Sequence, residues 1–130
     1  MQNKSIFDSA LRLLAESTEP CDVEDYAERA PYLLATFCTE VADVDAALRK
    51  MENSAPAKSF HSVFMPLQDT FPLLPRFSSA AAYYLAAMLI IDEDADASDR
   101  FYDKYCDSIS KICASLQAIS HPIKNKYFAD

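Results

Sequence analysis

Residues 80–91 read AAAYYLAAMLII, twelve apolar residues in succession, and they stop at Asp92-Glu93-Asp94-Ala95-Asp96. The run is too short to cross a bilayer, which needs about 20 apolar residues. It does not alternate as a half-buried strand would. Ala, Leu and Met favour helix, and apolar residues on every side demand burial on every side. The stretch therefore predicts a central buried helix over about 78–92, with other helices packed around it.

Outward from this axis, helical spacing recurs. Ile6, Phe7, Ala10, Leu11, Leu13 and Leu14 predict a first helix from Ser5 to Glu16, with Ser5 as its cap and Thr18-Glu19-Pro20 as its end. Asp22 is placed to cap the next segment, where Pro31 either kinks one helix or separates two near Ala30. Leu33, Leu34, Phe37, Cys38, Val41, Val44 and Leu48 carry a stripe on to about Lys50, with Asp45 and Arg49 as an i,i+4 pair on the far side. A last helix over about 98–118 buries Phe101, Tyr105, Ile109, Ile112 and Leu116, with Tyr102, Cys106 and Cys113 widening the stripe. The aromatic set Tyr83, Tyr84, Phe101, Tyr102 and Tyr105 reads as core.

Residues 51–77 break the pattern. Pro66, Pro72 and Pro75 preclude a continuous helix through an otherwise apolar stretch. Ser59–Met65 is compatible with a short extended piece. Phe60, Phe64, Leu67, Phe71, Leu73 and Leu74 should pack onto the helices or onto a neighbouring subunit. The expected fold class is thus all-α: one helical domain over 1–118, a bundle of four main helices with an irregular Pro-rich segment, and an extended tail over 119–130.

Composition narrows the function. The chain has 130 residues and no Gly. Phosphate-cradling loops need Gly for close backbone approach, so P-loop and dinucleotide fingerprints are excluded. A helix end that needs a left-handed residue must use another type, and Asn53 is the candidate. Twelve basic residues stand against twenty acidic ones, a net charge of −8. Such a chain repels phosphate backbones, so sequence-specific nucleic acid is not an expected partner. MQNKSIFDSA contains no apolar signal core, so the expected compartment is the cytoplasm, with no membrane contact.

The residue types that carry chemistry are present without a pattern that assembles them. Asp92, Asp94 and Asp96 match positions 1, 3 and 5 of a calcium loop. However, Ala97 stands where Gly is needed, Arg100 where a ligand belongs, and Asp103 where a longer Glu chelates. The acids are better read as serving the next helix, whose N-terminus favours negative charge, with Asp96 or Ser98 as cap. His61 and His121 have no motif partner. Cys21, Cys38, Cys106 and Cys113 are read as buried reduced thiols; on one helix Cys106 and Cys113 would lie about 10 Å apart, too far to bridge. No metal, cofactor or catalytic residue is expected.

Charge does separate along the chain. Seven acids face two bases between Asp92 and Asp107, whereas three Lys face one Asp between Lys111 and Asp130. Asp92, Glu93, Asp94 and Asp96 are therefore candidates for a protein interface, and so are Lys124, Lys126, Tyr127 and Phe128 of the tail, docking on a neighbouring copy.

Four stretches carry a resemblance. Asp25-Tyr26 is followed by Arg29-Ala30-Pro31-Tyr32-Leu33-Leu34; Phe71-Pro72-Leu73 stands in the middle loop; Tyr84-Leu85-Ala86-Ala87-Met88-Leu89-Ile90-Ile91-Asp92-Glu93-Asp94 forms the central run; and Phe101-Tyr102 with Tyr105 leads to a tail containing Tyr127. In order and spacing the chain resembles the small helical head–tail connector (adaptor) proteins of tailed phages and prophages. The resemblance implies a non-enzymatic ring subunit between portal and tail, a virion component whose loops and tail contact neighbouring subunits. It implies no catalytic residues. The alternatives are a cytoplasmic bacterial helical module that binds another protein, and an enzyme without a recognisable motif.

Overall fold

A computed structural model describes residues 1–17 and 23–120. It is all-helical in the order α1 (Asn3–Ser17), α2 (Val23–Met51), α3 (Ser78–Ile90) and α4 (Ala95–Ser120), with a single 3₁₀ turn, Pro75–Phe77, feeding α3. Among the described residues the only β-type pairing is an isolated bridge between Gln2 and Thr70. The expected caps and breaks at Thr18, Glu19, Pro20 and Asp22, together with Cys21, His121 and the tail residues Lys124, Lys126, Tyr127 and Phe128, lie outside the described residues.

Helix α3 is the axis. It packs against α1, α2 and α4, and Ala80, Ala81, Ala82, Tyr84, Leu85, Ala86, Ala87, Leu89 and Ile90 are all buried. Small side chains let the three neighbours approach closely, while Leu85, Leu89 and Ile90 fill the space between them. Helix α2 runs antiparallel to α3: Arg29 meets its C-terminal end, and Asp45 meets Leu74 just before its start. No helix is long and apolar enough to cross a membrane among the described residues.

Pro31 neither ends nor divides α2; the helix runs through it without interruption. Proline removes one N–H and crowds the carbonyl four residues back. Here Pro31 is buried against the irregular segment, and its own carbonyl accepts the Met65 N–H at 3.1 Å. Tertiary packing holds the helix together across a residue that locally disfavours it.

Helix α2 ends as its sequence suggests. Asn53 is left-handed at φ 54°. The Asn53 N–H reaches the Lys50 carbonyl at 3.3 Å and the Ser54 N–H reaches that of Arg49 at 2.8 Å, the paired bonds of a Schellman motif. In a chain without Gly, Asn is the least costly alternative.

The start of α1 corrects the expected cap. Ser5 lies inside the first turn, and the orphan donors are met from elsewhere: Asn3 N–H by the Asp69 carbonyl at 2.9 Å and Lys4 N–H by that of Leu67 at 2.8 Å. The Asn3 amide donates to the Pro66 carbonyl at 2.9 Å, and Phe71 N–H donates to the Met1 carbonyl at 2.8 Å. The Pro-rich segment is thus laced to the first residues of the chain. Ser59–Met65 forms no strand, but Met65, Phe71 and Leu73 are buried and Phe60, Leu67 and Leu74 half-buried, as their composition demands.

Candidate interaction surfaces

The acidic turn after α3 is a lock before it is anything else. The last four carbonyls of a helix have no intrahelical partner, and here each receives a donor. Ser98 Oγ, itself buried, donates to the Ala87 carbonyl at 2.8 Å. Arg29 of α2 donates to the Met88 and Leu89 carbonyls at 3.0 and 3.3 Å. The Ile90 carbonyl accepts from both Glu93 and Asp94 N–H at 2.9 Å. Arg29 also places a cation at the negative end of the α3 dipole, offsetting the acids that follow.

Of the four acids expected at an interface, two are occupied within the fold. Glu93 accepts the hydroxyl hydrogen of buried Tyr26. Asp94 Oδ1 accepts the Ala97 N–H at 3.0 Å and so caps α4. The cap is therefore Asp94, not Asp96 or Ser98, since α4 begins three residues earlier than its apolar spacing suggests. Asp92 and Asp96 are exposed and make no hydrogen bond or ion pair among the described residues. Between α3 and Asp92, Ile91 is 47% exposed. One pole of the molecule thus presents an exposed branched aliphatic side chain in the same turn as two uncommitted carboxylates.

The other pole is built by Asp45 and Arg49. These do not lie on the far side of α2: Asp45 is 1% exposed and forms part of the buried stripe. Arg49 Nε donates to Asp45 Oδ2 at 2.8 Å, while its other nitrogens donate to the Ala55 and Pro72 carbonyls, each at 3.0 Å. Asp45 Oδ1 accepts the Leu74 N–H at 2.8 Å. This fork pins the segment after α2 at a short distance from the helix and leaves a groove of about 710 Å³ between them. Its walls are mainly apolar, from Ala42, Ala46, Pro56, Ala57, Phe60 and Leu73. Lys50 and Lys58 line it, exposed and without an ion pair among the described residues, and exposed Asp43 lines it too.

A third surface departs from expectation. Phe64 does not pack down; it is 39% exposed and meets exposed Tyr32 edge-on, with ring centroids 5.0 Å apart. Val63 beside it is 59% exposed. His61 shapes this corner, its Nδ1 accepting the Val63 and Phe64 N–H groups at 3.1 and 3.3 Å.

The aromatic stripe is core in part. Phe37, Tyr84 and Tyr105 interlock with centroids 5.1–6.0 Å apart. Tyr102, at 42% exposure, lies on the rim, and half-buried Tyr83 lies 5.8 Å beneath the Lys104 ammonium. Burial, and after it the nearby Glu40 carboxylate, pushes the Tyr84 and Tyr105 hydroxyls above the usual phenol range. The described thiols also divide: Cys38 is buried, but Cys106 is exposed and Cys113 half-buried, because α4 turns the Cys106 position outward. Burial, followed by the charge of Asp45, pushes the Cys38 thiol up to about 12.

Comparison with protein-family models, curated proteins and solved structures finds no match to this chain.

Proposed function

We propose that this chain is a non-enzymatic structural or assembly subunit that works by self-association and protein–protein contacts, as the resemblance to phage and prophage head–tail connectors implies. The observation that carries the reading is the exposed Ile91 in the same turn as exposed, uncommitted Asp92 and Asp96, a turn whose other acids are used internally. A solvent-facing aliphatic residue at a rigid, charged pole suits a partner surface better than bulk water. The basic, aromatic segment with Lys124, Lys126, Tyr127 and Phe128 adds a second contact to a neighbouring copy or to portal or tail proteins. In this reading the protein acts in the cytoplasm and then in the virion.

Sedimentation velocity over a concentration series tests it. A ring-sized species that dissociates on dilution supports the reading, and removal of residues 120–130 should weaken assembly while leaving the helical signal unchanged. A chain that stays monomeric at millimolar concentration would sink it. Exposed Tyr32, Val63 and Phe64 favour a second reading, a module that binds an unrelated protein; capture of one partner, lost with Phe64→Ser, would support that instead.

A further inference from the structure

The two poles of the molecule are complementary in polarity and charge, and one copy cannot bring them together. Tyr26 of α2 is level with Glu93 in the acidic turn, whereas the groove lies along Ala42–Lys50 of the same helix. Twenty residues from Tyr26 to Ala46 span about 30 Å of helix. The acidic turn is held rigidly by Arg29, Tyr26 and Ser98, so Ile91 cannot fold back onto its own groove.

We infer that the groove between α2 and residues 54–60 receives the Ile91 turn of a second copy, with Ile91 against the apolar walls and Asp92 and Asp96 facing Lys50 and Lys58. This rests on the self-association reading and names its contact. The charges match in sign: the turn presents two uncommitted carboxylates, and the groove presents two uncommitted ammonium groups against the single carboxylate of Asp43, Arg49 and Asp45 being paired with each other. The groove of about 710 Å³ is within the range that holds a bulky apolar group. It is also preformed, because the Arg49 fork fixes its outer wall, so little ordering opposes docking. The contact is heterologous: turn meets groove, so one copy keeps its groove free and the other its turn. Repetition closes a ring or extends a filament, according to the rotation per step.

A charge-swap mixture tests this. Lys50→Glu/Lys58→Glu opposes an acidic groove to an acidic turn, and Asp92→Lys/Asp96→Lys opposes a basic turn to a basic groove. All four side chains are exposed, so folding should persist, checked by circular dichroism. Each variant alone should need at least about tenfold higher concentration to assemble than the unaltered chain, and the equimolar mixture should recover assembly with alternating copies. Ile91→Ser should weaken assembly without changing its salt dependence. If the unaltered chain assembles and the variants assemble equally well, or if their mixture does not recover, the turn–groove pairing is overturned while self-association stands. If the unaltered chain never assembles, both fall together.

Discussion

Arg49 Nε lies 2.8 Å from Asp45 Oδ2, one turn back along α2, and the pair is shared by three segments. Asp45 ties down Leu74 before α3, and Arg49 ties down Ala55 and Pro72. Removing the acid leaves a largely buried guanidinium and a part-buried N–H without their acceptor. Asp45→Ala should therefore cost about 3–5 kcal/mol, read as a lower urea midpoint at unchanged slope. Asp45→Asn keeps an acceptor for Leu74 and should cost less.

The junction of α2 with the acidic turn makes a separate prediction. Arg29→Ala strips two carbonyls at the end of α3 of their donor and should cost about 1–3 kcal/mol. Tyr26→Phe removes the hydroxyl bond to Glu93. Both residues clamp the same turn, so the double variant should lose less than the sum of the singles, and a double-mutant cycle by chemical denaturation measures the coupling.

The axis should tolerate neither loss nor gain of volume. Leu85, fully buried, should cost about 2–5 kcal/mol as Leu85→Ala. Ala86→Leu adds three carbons where the neighbouring helices already touch and should cost about 1–3 kcal/mol or more. Melting temperatures of the two variants check this.

Alkali should reveal the buried thiol. Cys38 keeps its proton in the folded chain up to about 12, whereas an unconstrained thiol releases it near 9.0. An acid with a raised folded pKa stabilises the fold fully below its unfolded value and loses that contribution as pH climbs. Stability should thus be level up to about pH 9 and fall between 9 and 12, with Tyr84 and Tyr105 acting in the same direction. Cys38→Ala should flatten part of that slope in melts at stepped pH. In the folded chain, mapped thiol labelling should modify Cys106 readily and reach Cys38 only after denaturant is added.

What was legible in the sequence follows from what is local. The central run announced α3 because an all-apolar helix has one possible location, and Asn53 announced a helix end because the chain has no Gly. Asp45 departs from the far-side position its charge suggests, for an instructive reason. It stands four residues after Val41 and three before Leu48, squarely on the buried stripe, but a carboxylate is ordinarily assigned to water. Its position is the better guide, and the Arg49 guanidinium together with the distant Leu74 N–H explains why it can remain there. Similarly, Pro31 signals a break, and the start of α1 hides its cap, because the groups that compensate belong to Met65, Leu67 and Asp69. The groove is invisible for the same reason, since its two walls meet only after folding. The acidic turn was legible as a candidate, but not the division of its acids between Glu93 and Asp94, which hold the fold, and Asp92 and Asp96, which remain outside.

The lacing of Asn3 and Lys4 to Pro66, Leu67 and Asp69 carries a consequence for synthesis. The acceptors that complete the first turn of α1 follow it by more than sixty residues. At roughly 5–20 residues per second, translation leaves that amphipathic helix without its partners for several seconds. During this interval its apolar face is open to other nascent chains and to chaperones. The yield of protein in the cell should therefore respond to the rate of elongation across residues 4–71, independently of the stability of the finished fold.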